Sequence, residues 1–130
     1  MSDTGSSYLL DTNMAIWLDR DIKRVSLAVL KVLQESDSRL YVSAVSFWEL
    51  SIKQGLGKID GDIRLERSLE TYGMQELGIS SKYTDTVRGL PMLHGDPFDR
   101  MLVAQAMVEG MVLVTGDRRL AGYPVAVLQV

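Results

Sequence analysis

Three short apolar runs constrain the fold of this chain more than any other feature. Tyr8-Leu9-Leu10, Leu40-Tyr41-Val42 and Met111-Val112-Leu113-Val114 are continuous, not alternating. A strand with one wet face alternates apolar and polar residues, whereas a strand covered on both faces reads as an unbroken apolar run. Stretches with helical spacing follow the first two runs and precede the third. Strands of this kind separated by helices imply parallel pairing through crossover connections. The expected fold class is therefore α/β, with a central mainly parallel sheet and helices on both faces.

Local signals fill in the remaining elements. A strand over Ser7 to Asp11 leads to a short helix over Thr12 to Asp19, then to a longer one over Ile22 to Glu35 with a broad apolar face. Ser43 can cap a helix over Ala44 to Gln54, which Gly55-Leu56-Gly57 would stop. A further amphipathic helix is expected over Asp62 to Tyr72, a weak strand over Met74 to Leu77, and a helix from Ser80 or Ser81 to about Gly89. Asp96-Pro97 opens the clearest helix, which ends at Gly110. Val125 to Leu128 reads as a last strand. There is no repeat or linker, so the 130 residues read as a single domain, with residues 1–6 expected to be a flexible N-terminus.

Composition then removes whole classes of chemistry. The chain has no cysteine and one histidine, His94. Disulfides, thiol nucleophiles, iron–sulfur clusters and multi-histidine metal sites are excluded together. Any metal must be held mainly by carboxylates, whose oxygens suit hard ions such as magnesium or manganese. The net charge of −3 is not that of a protein that grips nucleic acid by bulk electrostatics. It is compatible with a nuclease, because bound cations reverse the sign of an acidic pocket. No apolar run is long enough for a membrane span and no secretory signal opens the chain, so a cytoplasmic location is expected.

In open parallel sheets, ligands bind beyond the carboxyl ends of the strands. Asp11 ends the first strand and Asp117 follows the Met111–Thr115 strand by two residues, so neighbouring strands would project both acids from one edge. Glu49 and Asp99 lie on helices that can lean over that edge. Gathered together, the four would repel, and divalent cations would relieve the conflict. Each also has a plainer explanation. Asp11 can cap the next helix, Glu49 can pair with Lys53 one turn on, Asp96 and Asp99 suit a helix N-terminus, and Asp117 suits a turn.

The residues around these acids resemble the four motifs of PIN-domain nucleases. Leu9-Leu10-Asp11-Thr12-Asn13 is similar to the first and Ser46-Phe47-Trp48-Glu49-Leu50-Ser51-Ile52-Lys53 to the second. The segment from His94-Gly95-Asp96-Pro97-Phe98-Asp99-Arg100 to Ala106 resembles the third, and Val114-Thr115-Gly116-Asp117 the fourth. Order and spacing resemble the VapC-type toxins of bacterial toxin–antitoxin pairs, from about Tyr8 to the C-terminus.

The resemblance implies a three-layer α/β/α domain and a Mg2+- or Mn2+-dependent endoribonuclease. Asp11, Glu49, Asp99 and Asp117 would form the acidic site. Asp11 and Asp99 would be metal ligands, Asp117 would complete the site, and Glu49 would bind metal or position the attacking water. Thr12, Asn13 and Thr115 would hydrogen-bond the carboxylates, Ser46 would help hold Glu49, and Asp96 would cap its helix. In-line attack by metal-activated water would leave 5′-phosphate and 3′-hydroxyl ends. Implied partners are RNA, a cognate antitoxin and a second copy in a homodimer.

Basic residues near the same edge could guide RNA: Arg100 at a phosphate, with Lys53, Lys58, Arg118 and Arg119 around it. A lone loop histidine such as His94 is more often structural, and Trp17 and Trp48 more often belong to core or interface. The sequence admits two other functions. One is a catalytically idle RNA- or protein-binding module, though all four acids are present. The other is a haloacid dehalogenase-type phosphoryl-transfer enzyme, which wants an aspartate where Asn13 stands and a further acid after Asp117, where Leu120 and Ala121 stand.

Overall fold

The structure is a computed structural model that describes residues 6–130. The flexible N-terminus expected over residues 1–6 falls, save for Ser6, outside the described residues. Five strands form one sheet: β1 (Ser7–Leu10), β2 (Arg39–Ser43), β3 (Gln75–Leu77), β4 (Val112–Thr115) and β5 (Val127–Gln129). Their order is β3-β2-β1-β4-β5 and every pairing is parallel. Six α-helices cover the sheet: α1 (Thr12–Arg20), α2 (Leu27–Leu33), α3 (Ala44–Gly55), α4 (Leu65–Tyr72), α5 (Ser81–Arg88) and α6 (Pro97–Glu109).

The apolar runs are continuous because the sheet is buried on both sides. Leu10, Leu40, Val42 and Val114 point to one face, where they meet Met14 and Leu18 of α1, Val29 and Leu33 of α2 and Leu65 of α4. Leu9 and Leu113 point to the other, against Leu102, Val103 and Ala106 of α6 and Leu120 and Tyr123 beyond β4. α5 packs on α6. The result is three layers with two cores, as the period-2 geometry of strands requires.

Helix ends follow the expected chemistry in most places. The Ser43 hydroxyl accepts from Val45 N–H at the start of α3. Asp96 accepts from the N–H groups of Phe98 and Asp99 at the start of α6, with Pro97 in the first turn. Gly110 ends α6 at φ +67°, a left-handed position that any side chain would strain.

Two helices differ from expectation. The segment from Ile22 to Glu35 is a 3₁₀ turn over Ile22–Arg24 followed by α2. Ser26 divides them, because its hydroxyl accepts from Val29 N–H and so starts a new helix. Leu27, which the pattern assigns to an apolar face, is 84% exposed there. α4 starts at Leu65, three residues later than expected. A 3₁₀ turn over Arg118–Gly122, unannounced by the sequence, follows Asp117.

Candidate metal centre

β1 and β4 are neighbours, with Leu10 in register with Val114. Their carboxyl ends therefore coincide, and a cavity of about 290 Å³ opens there. Asp11, Glu49, Asp99 and Asp117 all line it, together with Asn13, Asp96, His94, Lys53 and Arg119. The sheet supplies Asp11 and Asp117, the inner side of α3 supplies Glu49, and the first turn of α6 supplies Asp99.

Asp11 is buried and tied down at both oxygens. Oδ1 accepts from Met14 N–H at 2.8 Å, capping α1, and Oδ2 accepts from the Thr115 hydroxyl at 2.6 Å. Capping and a place in the cavity thus coexist in one carboxylate. Burial pushes Asp11 up to about 6, against the pull of the Thr115 and Met14 hydrogen bonds, and the charges of Glu49 and Asp117 add to the rise. Asp99 is pushed up to about 7, first by burial and then by Asp96, Asp11 and Glu49. Asp117 is held down to about 2, chiefly by Arg119. That guanidinium grips both its oxygens, at 3.0 Å through Nε and 2.8 Å through Nη2.

Glu49 is buried on α3. Lys53 Nζ donates to Oε2 at 2.7 Å, so the one-turn pair forms, and both its residues line the cavity. Glu49 Oε1 is buried without any hydrogen-bond partner. A native carboxylate oxygen rarely stays unpaired, and Glu49 lines the same cavity as Asp11, Asp99 and Asp117. The donor set is rich in carboxylate oxygen, which suits Mg2+ or Mn2+. A cation placed among them would pair the orphaned oxygen and offset the burial penalty and repulsion that raise the acids. Ligand atoms of His94, Asp99 and Asp117 lie within 4.8 Å of one another.

Several neighbours differ from expectation. Thr12 does not reach a carboxylate. Its hydroxyl donates to Ser46 Oγ at 2.8 Å, so Thr12 and Ser46 tie α1 to α3 and Ser46 is not the residue that holds Glu49. Asn13 is exposed at the cavity rim. Thr115 does bind Asp11. Arg100 is not at a phosphate position. It is buried, and its guanidinium donates to the carbonyls of Val87, Leu90 and Pro91 and to the Tyr123 hydroxyl. Position 100 follows Asp99 around the helix and so faces the core, where three carbonyls and the Tyr123 hydroxyl accept from it. Arg118 and Lys58 are exposed outside the cavity wall, which Lys53 and Arg119 line.

Trp17 lines the cavity beside Gly116, where a Cβ would lie 3.1 Å from the indole. Trp48 is 59% exposed and meets Phe98 edge-on, 5.2 Å between centroids. The residue that sequence reasoning undervalued is His94. It is buried in the cavity wall, with Nε2 3.0 Å from Asp117 Oδ2 and 3.3 Å from Asp99 Oδ2. Its place two residues before the capping Asp96 was the available signal.

Comparison with known proteins agrees with this geometry. A family model described as "PIN domain" matches residues 8–125. Ribonuclease VapC22 of Mycobacterium tuberculosis is 31% identical over 121 residues, covering 91% of this chain and 92% of the relative. Among solved structures, VapBC2 from Rickettsia felis bound to a promoter DNA fragment aligns at a TM-score of 0.72 with 18% identity, covering 95% of this chain and 98% of that one. DNA-bound VapBC from Salmonella typhimurium aligns at 0.61 with 20% identity, covering 95% and 98%. A toxin–antitoxin complex from Klebsiella pneumoniae aligns at 0.61 with 17% identity, covering 94% and 96%. These structures share the fold, and the family model together with the VapC relative shows the lineage. The chain belongs to the PIN domain family, and within it to the VapC type.

Proposed function

We propose that this chain is the toxin of a type II toxin–antitoxin pair and a Mg2+- or Mn2+-dependent endoribonuclease. One observation carries the reading: four carboxylates meet at the carboxyl edge of a parallel sheet, two of them with raised proton affinity and one with a buried, unpartnered oxygen. Such a cluster is costly unless a cation offsets it, and the ribonuclease relative names the chemistry.

Asp11, Asp99 and Asp117 would hold the cation. When bound, it supplies the positive charge that acidifies water and stabilises charge developing on a phosphate. Glu49 orients the attacking water through Oε1, because Lys53 already holds Oε2. Arg119 and Lys53 stand at the rim and receive phosphate oxygens of the RNA strand. Water attacks phosphorus as the bond to the 3′ oxygen breaks, which leaves 5′-phosphate and 3′-hydroxyl ends. A cyclic phosphate route needs a paired acid and base, and the single histidine is occupied with carboxylates.

The solved neighbours are toxin–antitoxin complexes, which supports an antitoxin as the partner that silences this site. Trp48 and Ile52, one turn apart on α3, and Leu56 just past its end are exposed, which supports a homodimer. We take residues 1–130 as one domain. No helix among the described residues is long and apolar enough to cross a membrane, which accords with a cytoplasmic setting.

The test is cleavage of a mixed RNA pool by antitoxin-free protein with Mg2+, with Mn2+ and with chelator. Metal-dependent cleavage that leaves 5′-phosphates and vanishes with Asp11→Asn is the expected result. Cleavage that survives chelator or the substitution rejects the mechanism. A folded protein that binds RNA but never cuts it points to the idle binding module.

A further inference from the structure

His94 contacts two of the four acids, and two roles fit its distances. Nε2 could offer a lone pair to a cation alongside Asp99 and Asp117, or it could donate a hydrogen bond to Asp117 with Asp99 beside it. The other ring nitrogen decides between them. Asp96 N–H donates to Nδ1 at 3.0 Å. An acceptor nitrogen carries the lone pair, so the hydrogen-bond network assigns the proton of the neutral ring to Nε2. A protonated nitrogen has no lone pair for a metal.

We propose that His94 is a positioning residue whose Nε2–H donates to Oδ2 of Asp117 at 3.0 Å and lies 3.3 Å from Oδ2 of Asp99, holding two like-charged ligands together without itself binding the cation. The proposal rests on the metal-site reading above. Asp99 and Asp117 come from separate elements, the first turn of α6 and the loop after β4, and their charges repel. An N–H bonded to one and lying beside the other keeps them close before any cation arrives. It approaches only one oxygen of Asp99, so the other stays available.

The ring is held for this task. Its Nδ1 is fixed by Asp96 N–H, and its own backbone N–H donates to the Tyr123 hydroxyl at 2.9 Å. Arg100 donates to that same hydroxyl at 3.2 Å while gripping the carbonyls of the preceding loop. The arginine expected at a phosphate is thus the anchor of the histidine. Outer-shell partners that orient metal ligands in this way typically matter about 10- to 100-fold in metal affinity.

Two amide substitutions separate the roles of the two ring nitrogens. Glutamine sets its N–H near the position of Nε2, whereas asparagine sets its carbonyl near Nδ1 and cannot reach the acids. Mn2+ affinity is measured by calorimetry without RNA, and thermal melting checks that each variant is folded. The expected result is affinity within about threefold of the parent for His94→Gln and a loss of about 10- to 100-fold for His94→Asn. The reverse order overturns the proposal, because His94 would then serve only the loop through Asp96. Loss in both folded variants overturns it as well.

Being the only histidine, His94 also gives a one-residue ring-nitrogen NMR spectrum. In metal-free protein at mildly alkaline pH, Nε2 should be the protonated nitrogen, and it should stay so with saturating Mg2+. A bare Nε2 in metal-free protein, or a proton lost on Mg2+ addition, rejects the donor role. A parent protein that binds no Mn2+ rejects the metal reading instead, and the metal-free spectrum still judges the donor.

Discussion

At Asp11 a charge sits where burial opposes it, and the opposition has a direction in pH. The folded protein keeps the Asp11 proton up to about pH 6, against an ordinary value of 3.8. Between those values the folded state binds more protons than the unfolded one, so stability contributed by the protonated form is lost as pH rises through the window. Asp99 extends the same loss to about pH 7. Asp11→Asn removes the charge, keeps an acceptor for Met14 N–H and can donate to Thr115. Without metal it should stabilise the fold by about 1–3 kcal/mol at neutral pH and by much less near pH 4. Melting curves at the two pH values check this, and an equal shift at both would contradict it. The identity of the four acids was legible because a strand end and its neighbours recur in a known motif. The roles of Ser46, Thr12, Arg100 and His94 were not, because a hydroxyl or guanidinium chooses its partner from what lies across the fold, which spacing along one helix does not reveal.

Among the elements, α6 shows how a terminus can serve two ends. The Asp96 cap fixes the first turn that carries Asp99, yet its charge is one of the causes that push Asp99 up. Asp96→Ala should cost about 1 kcal/mol in urea denaturation through the lost cap. It should also lower the pH at which Asp99 titrates, read by carboxyl NMR. Asp96→Asn should keep the cap and retain the second effect. Helices bounded by strong signals, such as Ser43 before α3 or Asp96-Pro97 and Gly110 around α6, were legible in sequence. The break before α2 was not, since Ser26 reads equally as one polar residue on the wet face of a longer helix. The late start of α4 had the same origin: Arg64 at its N-cap makes no side-chain capping bond, so nothing in the sequence marks it.

For the molecule as a whole, two arginines near one cavity divide stability from binding. Arg100 joins α6, the loop before it and Tyr123 through buried bonds that a lysine cannot reproduce in number or direction. Arg100→Lys should lower unfolding free energy by about 2–4 kcal/mol, with unsatisfied carbonyls as the cause. Arg119 is exposed and pairs with Asp117 at the rim. Arg119→Ala should leave stability nearly unchanged and reduce the salt slope of RNA binding by about 0.7, the worth of one phosphate contact on a single strand. Both slopes are measured in the Asp11→Asn background so that the RNA stays intact. If Arg100→Lys changes the slope and Arg119→Ala does not, the assignment of the two residues is inverted.

The sheet order also sets a timetable. Among the five described strands β1 comes first in the chain, yet it lies in the middle of the sheet, and its partner β4 is about a hundred positions further on. The bond between Thr115 and Asp11 spans 104 positions. During synthesis, a nascent chain that ends before β4 has β1 with one open edge and lacks both Asp117 and the wall that Thr115 builds. The ribosome making this protein must therefore pass β4 before this site can exist, and a product released earlier lacks Thr115 and Asp117.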